Sequence, residues 1–342
     1  MTTPLRDLSI LLAPASGPGV GGGHVIRCLT LAEALAARGC ECRFAVTSAG
    51  EDLIARFRPD CFPILRLDPP DGLAQAVAQA GCDGLVVDNY ALDAEAEARL
   101  GQAVRRVMVI DDLADRRHMA DLVLDPGYGR TPDAYVRLAP GAVVLAGPDY
   151  ALVRPAFRER RPASAGCRDK ALRIMVSFGL ADPGEIARRA VVLLLAHAPE
   201  AVLDVVLASD APSRPALARL AAQDHRVQLH LDVADVAAIM ARCDLCVGAG
   251  GSSVWERAVV GLPSLVVVVA DNQRDLARQL SSDGYCAMAD LADADFEAQF
   301  SAALEGLKPP HVRLTMADAA MALCDGLGAE RAADAFVTLL RT

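Results

Sequence analysis

The sequence predicts two α/β domains, each a parallel sheet wound from βαβ units. Three observations carry this expectation. The chain has 342 residues, more than one small core organises. Short β-like apolar runs alternate with longer helical patterns through most of it. Two glycine-rich stretches each follow an apolar run and open a helix.

In the first half the strand candidates are residues 8–13, 43–46, 84–87, 107–110, 122–124 and 142–145. Residues 154–170 follow, rich in Arg and Pro with little apolar periodicity, and read as a linker. The alternation restarts at 172–178 and continues at 203–207, 227–231, 245–247 and 264–269. From about residue 293 the pattern is helical only. The expected division is therefore 1–155 and 171–342, the second including the terminal helices, with 156–170 between them. Both domains are expected to be Rossmann-like and to face a cleft. Ligands of open parallel sheets bind beyond the carboxyl ends of the strands, so those ends are where chemistry is sought.

Composition narrows the function. Apolar residues make up 53% of the chain, yet no apolar run approaches the ~20 residues of a membrane helix. Residues 8–13 are too short for a signal-peptide core, and Arg6 before them is offset by Asp7. A cytoplasmic monomer with no membrane partner is expected. The net charge of −10 argues against a general nucleic-acid binder, which needs a basic surface. Of the ten cysteines only Cys243 and Cys246 have Cys-x-x-Cys spacing, and they run into a strand with no second pair. Buried thiols, such as Cys28 and Cys82, are the expected reading.

The first glycine stretch is Ser16-Gly17-Pro18-Gly19-Val20-Gly21-Gly22-Gly23-His24, with Ile26, Leu29 and Leu35 on the apolar stripe of the following helix. Glycines let a ligand approach the backbone, and a helix start offers free N–H groups to anionic oxygens. The second strand ends Val46-Thr47-Ser48, without the acidic residue that a dinucleotide ribose requires. His24 stands at the mouth of the helix, where the helix end and Arg27 favour a neutral imidazole, a candidate general base. A loop histidine bonding only to backbone fits the same position. His118, His197, His225, His230 and His311 have no comparable setting and read as surface or packing residues.

The second stretch is Gly248-Ala249-Gly250-Gly251-Ser252-Ser253-Val254-Trp255-Glu256. Its amides and hydroxyls suit a diphosphate, and Glu256, about one turn into the helix, suits ribose hydroxyls. A capping box of Ser253 with Glu256 fits the spacing equally. Ser177-Phe178-Gly179 and Ala270-Asp271-Asn272-Gln273 end neighbouring strands, so three loops converge on one rim. In the first domain Asp88-Asn89-Tyr90, Asp111-Asp112 and Asp125 follow strands. Asp111, Asp112 and Asp125 read as helix caps. Asp88 and Tyr90 stay open between capping and binding a sugar. No Walker loop and no nucleophile elbow occurs.

These motifs together resemble the PseG family, the UDP-sugar hydrolases of pseudaminic acid biosynthesis. The residues that carry the likeness are Gly21-Gly22-Gly23-His24-Val25-Ile26-Arg27, Asp88-Asn89-Tyr90, Ile110-Asp111-Asp112-Leu113, residues 147–154, Ser177-Phe178-Gly179, residues 248–257, Gly261-Leu262-Pro263-Ser264 and residues 270–273. The wider architecture resembles GT-B glycosyltransferases, the MurG-like group in particular. The resemblance implies a GT-B fold and hydrolysis of UDP-2,4-diacetamido-2,4,6-trideoxy-β-L-altropyranose by inverting water attack, with no metal and no cofactor. By the same resemblance His24 is the general base, with Gly21, Gly23, Arg27, Asp88 and Tyr90 beside the sugar. Ser177, Phe178, Gly179, Gly250, Gly251, Ser252, Ser253, Glu256, Asn272 and Gln273 line the substrate, and backbone near Val233 faces uracil. Leu180 stands where a glycine is usual and would narrow the phosphate approach. A GT-B glycosyltransferase using a UDP-amino sugar, or a UDP-sugar epimerase, would share the fold and the nucleotide site. A non-catalytic nucleotide-sugar binder would bind UDP and turn nothing over.

Overall fold

The structure, a computed structural model, describes residues 8–17, 20–58, 62–68, 72–164 and 172–342. The chain divides into two compact units. One runs to Val153 and includes Leu327–Thr342; the other is Arg154–Gly326.

The first unit alternates β1 (Ser9–Pro14), α1 (Gly23–Ala36), β2 (Glu41–Val46), α2 (Ser48–Phe57), β3 (Ile64–Arg66), α3 (Leu73–Ala80), β4 (Gly84–Asp88), α4 (Ala94–Gly101), β5 (Arg106–Ile110), β6 (Leu122–Asp125) and β7 (Val143–Ala146). Its sheet has the order β3-β2-β1-β4-β5-β6-β7, with the paired strands parallel. In β1, Ile10 and Leu12 pack on one face with α1, while Leu11 and Ala13 pack on the other with Val77 of α3 and Leu100 of α4. A strand buried on both faces must be apolar throughout, which is why parallel strands read as continuous runs.

The second unit contains α5 (Pro155–Arg158), β8 (Arg173–Ser177), α6 (Ile186–His197), β9 (Val202–Leu207), α7 (Arg214–Gln223), β10 (Val227–Leu231), α8 (Val236–Met240), β11 (Leu245–Ala249), α9 (Ser253–Val259), β12 (Ser264–Val268), α10 (Arg274–Ser282), β13 (Ala287–Asp290), α11 (Phe296–Leu307) and α12 (Pro310–Leu323). The sheet order is β10-β9-β8-β11-β12-β13, again parallel. Val176, Val205, Val247 and Val267 meet Ile186, Leu194 and Phe300 in its main core. In both sheets the strand order reverses once, between β1 and β4 and between β8 and β11. Such a reversal leaves a crevice beyond the strand ends.

Three expectations need correction. β3 and β13 have no counterpart among the expected strands. Both are edge strands, of 3 and 4 residues, and β13 reads Ala-Met-Ala-Asp; their pairing is imposed by β2 and β12 rather than by local propensity. Residues 154–164 are not a free linker. They include α5, and Arg161 ties the segment to the second unit by donating to the carbonyls of Met321, Cys324 and Val259. Residues 165–170 of the expected linker lie outside the described residues. The last helix, α13 (Gly328–Arg341), belongs to the first unit. Its Ala332, Ala333, Phe336 and Leu340 join the core with α1, and Arg38 bonds Asp334 at 2.5 and 2.8 Å. Gly328 is required there, since a Cβ would lie 2.3 Å from the Ala151 carbonyl oxygen.

Phe336 is fully buried and its ring lies 3.1 Å from the place a Gly84 Cβ would take. Phe336→Ala should therefore destabilise the first unit by about 3–5 kcal/mol. Urea unfolding followed by hydrogen exchange should show the amides of β1 and β4 opening earlier and those of β8 and β11 unchanged. Equal loss in both sets would contradict the assignment of α13.

Candidate functional site

In the first unit β1 and β4 are neighbours at the reversal, with Pro14 in register with Asp88. His24 is the second residue of α1 and Asp88 the last of β4, so both stand at this crevice. His24 Nδ1 lies 2.7 Å from Asp88 Oδ1. Arg27, one helical turn beyond His24, grips the same carboxylate with Nε to Oδ2 and Nη2 to Oδ1, each 2.5 Å. Burial alone would raise the Asp88 carboxyl; the Arg27 guanidinium overrides it and holds the group below the usual carboxylate range. An ionised carboxylate only accepts, so His24 Nδ1 must donate to it. In the neutral ring that leaves the lone pair on Nε2. Arg27 Nη2 also lies 3.2 Å from His24 Nδ1, but two donors do not bond.

Asp112 closes the other side. Its Oδ2 accepts from Arg27 Nη1 at 2.7 Å and its Oδ1 from the Tyr90 hydroxyl at 2.6 Å. Burial, then the Asp112 charge, pushes the Tyr90 phenol up, so it stays a donor. The Tyr90 ring meets His24 edge-on at 4.9 Å and 79°, and the Arg116 guanidinium lies 5.8 Å over it. Asp112 is therefore a member of the site and not a helix cap.

Asp111 and Asp125 are not caps either, because no helix follows them directly. Asp111 accepts from Ala114 N, Arg116 and the Tyr135 hydroxyl, which also approaches Asp125 at 2.7 Å. His118 is buried between Glu97, 2.8 Å from its Nδ1, and Asp111, 3.4 Å from its Nε2. Burial would lower the imidazole, but these two carboxylates push it up to about 9. Burial raises the Asp125 carboxyl to about 6.

In the second unit the crevice between β8 and β11 is bordered by Ser177, Phe178 and Gly179 and by the loop from Gly248 to Ser252. A Cβ at Gly248 would lie 2.5 Å from the Ser177 carbonyl oxygen, so glycine is needed for the strands to approach. A Cβ at Gly251 would meet only Gln273 Nε2 at 3.9 Å, and one at Gly21 nothing within 4 Å. Among the described residues, packing does not demand glycine at these two positions. Gln273 Oε1 accepts from Gly250 N and Val269 N, bracing the loop rather than facing outward. The capping box is absent: Ser252 precedes the helix without a side-chain cap, and Glu256 Oε1 accepts from Arg154 at 2.8 and 3.0 Å.

The remaining expected residues divide. Phe178 is buried in the second core, so its side chain is not at a ligand surface; only its backbone borders the crevice. Leu180 packs partly against the same core. Gly179 and Asn272 are exposed and Val233 is half-buried after β10. Pro18 and Gly19 of the first glycine loop lie outside the described residues. The eight described cysteines are buried. Among the described residues no three His, Cys, Asp or Glu side chains are grouped to hold a metal, and no helix is long and apolar enough to cross a membrane. Sequence reasoning missed Arg116, Arg154 and Arg257 as site neighbours; an arginine gives no signal until its carboxylate or carbonyl partner is located.

Known proteins resemble the chain at several levels. Residues 219–335 match the glycosyltransferase family 28 C-terminal domain. The spore coat polysaccharide biosynthesis protein SpsG of Bacillus subtilis is 24% identical over 276 residues, covering 77% of this chain and 78% of that protein. Among solved structures, MurG of Acinetobacter baumannii superposes with a TM-score of 0.67 at 16% identity, covering 97% of this chain and 100% of that one. The MnaA–UDP structure of S. aureus gives 0.65 at 16% identity, covering 98% and 97%. With two parallel-sheet Rossmann-like units, the chain has a GT-B type fold.

The His118 cluster generates a pH prediction. An imidazole held at about 9 when folded, against about 6.5 unfolded, contributes stability that is complete below pH ~6.5 and lost as pH rises through about 9. The Asp125 contribution is already lost above about pH 6, and that of Asp111, whose carboxyl is held low, is constant in this window. Denaturation midpoints should therefore fall between pH 6.5 and 9 in the wild type and change less in His118→Asn. Parallel pH profiles would contradict a charged His118.

Proposed function

We propose that the chain is an enzyme acting on a nucleotide sugar, and within that class a metal-independent hydrolase. It would cleave UDP-2,4-diacetamido-2,4,6-trideoxy-β-L-altropyranose to UDP and 2,4-diacetamido-2,4,6-trideoxy-L-altrose. The observation that carries the reading is the His24–Asp88 pair, in which a buried carboxylate directs one ring nitrogen and leaves the other to take a proton. The motif resemblance supplies the sugar. The likeness in fold to the MnaA–UDP structure supports the nucleotide.

In this reading His24 Nε2 accepts a proton from water as its oxygen attacks the anomeric carbon from the face opposite UDP. The bond from that carbon to the phosphate oxygen breaks and its electron pair leaves with UDP, inverting the centre. Asp88 keeps the ring in the productive tautomer and stabilises the imidazolium that forms, and Arg27 keeps Asp88 ionised. Tyr90, fixed by Asp112, limits where the sugar lies against His24. In the second unit the Gly251 and Ser252 amides and the Ser252 and Ser253 hydroxyls serve the diphosphate, where charge develops. Glu256, held through Oε1 by Arg154, offers Oε2 to the ribose.

The family-28 match also favours a second reading, transfer of the sugar to an acceptor hydroxyl activated by the same His24. NMR of the protein with the UDP-sugar and EDTA separates the two. Hydrolysis predicts UDP and free sugar in equal amounts without acceptor, at a rate lowered at least about a hundredfold in His24→Ala. UDP release only after an acceptor is added would establish transfer, and an isomerised UDP-sugar would establish epimerisation.

A further inference from the structure

We infer that Arg257 is a positioning residue whose buried positive charge is matched by the diphosphate bound at the loop it braces. The inference rests on the proposed reading of the second unit as a diphosphate site.

Arg257 lies on α9 and is 2% exposed. Its Nη2 donates to the Ala249 carbonyl at 3.0 Å and its Nη1 to Ser253 Oγ at 3.0 Å. Its Nε has no hydrogen-bond partner. None of the ion pairs among the described residues involves it, and Glu256 beside it in sequence is committed to Arg154. The contrast is Arg27, 8% exposed, which meets two carboxylates. Two thiols face Arg257 and supply no countercharge: burial pushes Cys246 up, and Cys286 up to about 12. A cavity of about 20 Å³ lined by Trp255, Arg257, Ser264, Tyr285 and Cys286 has room for one water. A water there would satisfy Nε and leave the charge.

A buried cation without an anion is unfavourable, and buried charges are normally paired. The place of this one identifies what would pair with it. A Cβ at Gly248 would stand 3.3 Å from Nη1, so the guanidinium lies against the backbone of the loop. Its two bonds hold the Ala249 carbonyl inward and leave the Ser253 hydroxyl hydrogen free to donate outward. With the Gly250 amide taken by Gln273, the loop keeps the Gly251 and Ser252 amides for a ligand. α9 has only 7 residues, so its dipole is a modest source of positive potential. Arg257 supplies a full charge in a low-dielectric setting where salt screens it little. An anion carrying more than one charge is the matching ligand, and a nucleoside diphosphate fits.

The test measures UDP, uridine and inorganic pyrophosphate binding by calorimetry to the wild type, Arg257→Met and Arg257→Lys, with circular dichroism and melting as the folding control. Expected is a loss of UDP affinity of more than about tenfold in Arg257→Met, an equal loss for pyrophosphate and no change for uridine. Arg257→Lys, which keeps the charge but not the forked bonds, should recover most UDP binding. Equal losses for UDP and uridine, or a folded lysine variant as weak as the methionine one, would make Arg257 a loop brace only and overturn the inference. Failure of the wild type to bind UDP would instead remove the nucleotide reading. Pyrophosphate binding lost in Arg257→Met would then keep the inference, and pyrophosphate binding unchanged would end it.

Discussion

The first unit depends on keeping one carboxylate ionised where no water reaches it. Asp88 ends β4, the strand beside the reversal, and is fully buried. Leaving a charge there unpaired would cost several kcal/mol. Arg27 removes that cost with two bonds, and because Arg27 and His24 lie one turn apart on α1, the helix that brings the cation also brings the imidazole. Asp112 then takes the remaining arm of Arg27 and anchors Tyr90, which packs on His24. The packing of α13 against α1 belongs to the same constraint, since the position of α1 sets the reach of both residues.

The second unit meets the opposite condition. Its crevice holds open glycines, hydroxyls and a buried cation without a carboxylate. A site rich in acceptors and carboxylates suits sugar and water chemistry, while one rich in donors and positive charge suits phosphate. On the proposed reading, the division of labour between sugar and phosphate follows from the charge each crevice carries.

Much of this was legible in the sequence. Buried parallel strands leave unbroken apolar runs, so most strands were identifiable, and glycine loops after strands marked both crevices. His24 is a candidate from sequence because its position at a helix start is a local feature. The role of Asp88 is not legible locally, since its partner lies 64 residues away. Local spacing allows caps at Asp111, Asp112 and Asp125, whereas long-range partners, Arg27, Tyr90 and Tyr135, decide otherwise. The Ser253–Glu256 spacing suggested a capping box for the same reason, and Arg154, 102 residues distant, claims Glu256 instead. The placement of α13 was illegible: its apolar stripe says that it packs, but not on which sheet.

By accepting from Nδ1, Asp88 fixes the tautomer of His24. Nitrogen-15 NMR of the imidazole in the neutral state tests it most directly. Expected are a protonated, strongly hydrogen-bonded Nδ1 and an unprotonated Nε2, with the preference lost in Asp88→Asn. A proton residing on Nε2 in the wild type would contradict it, because His24 would then have no lone pair facing away from Asp88.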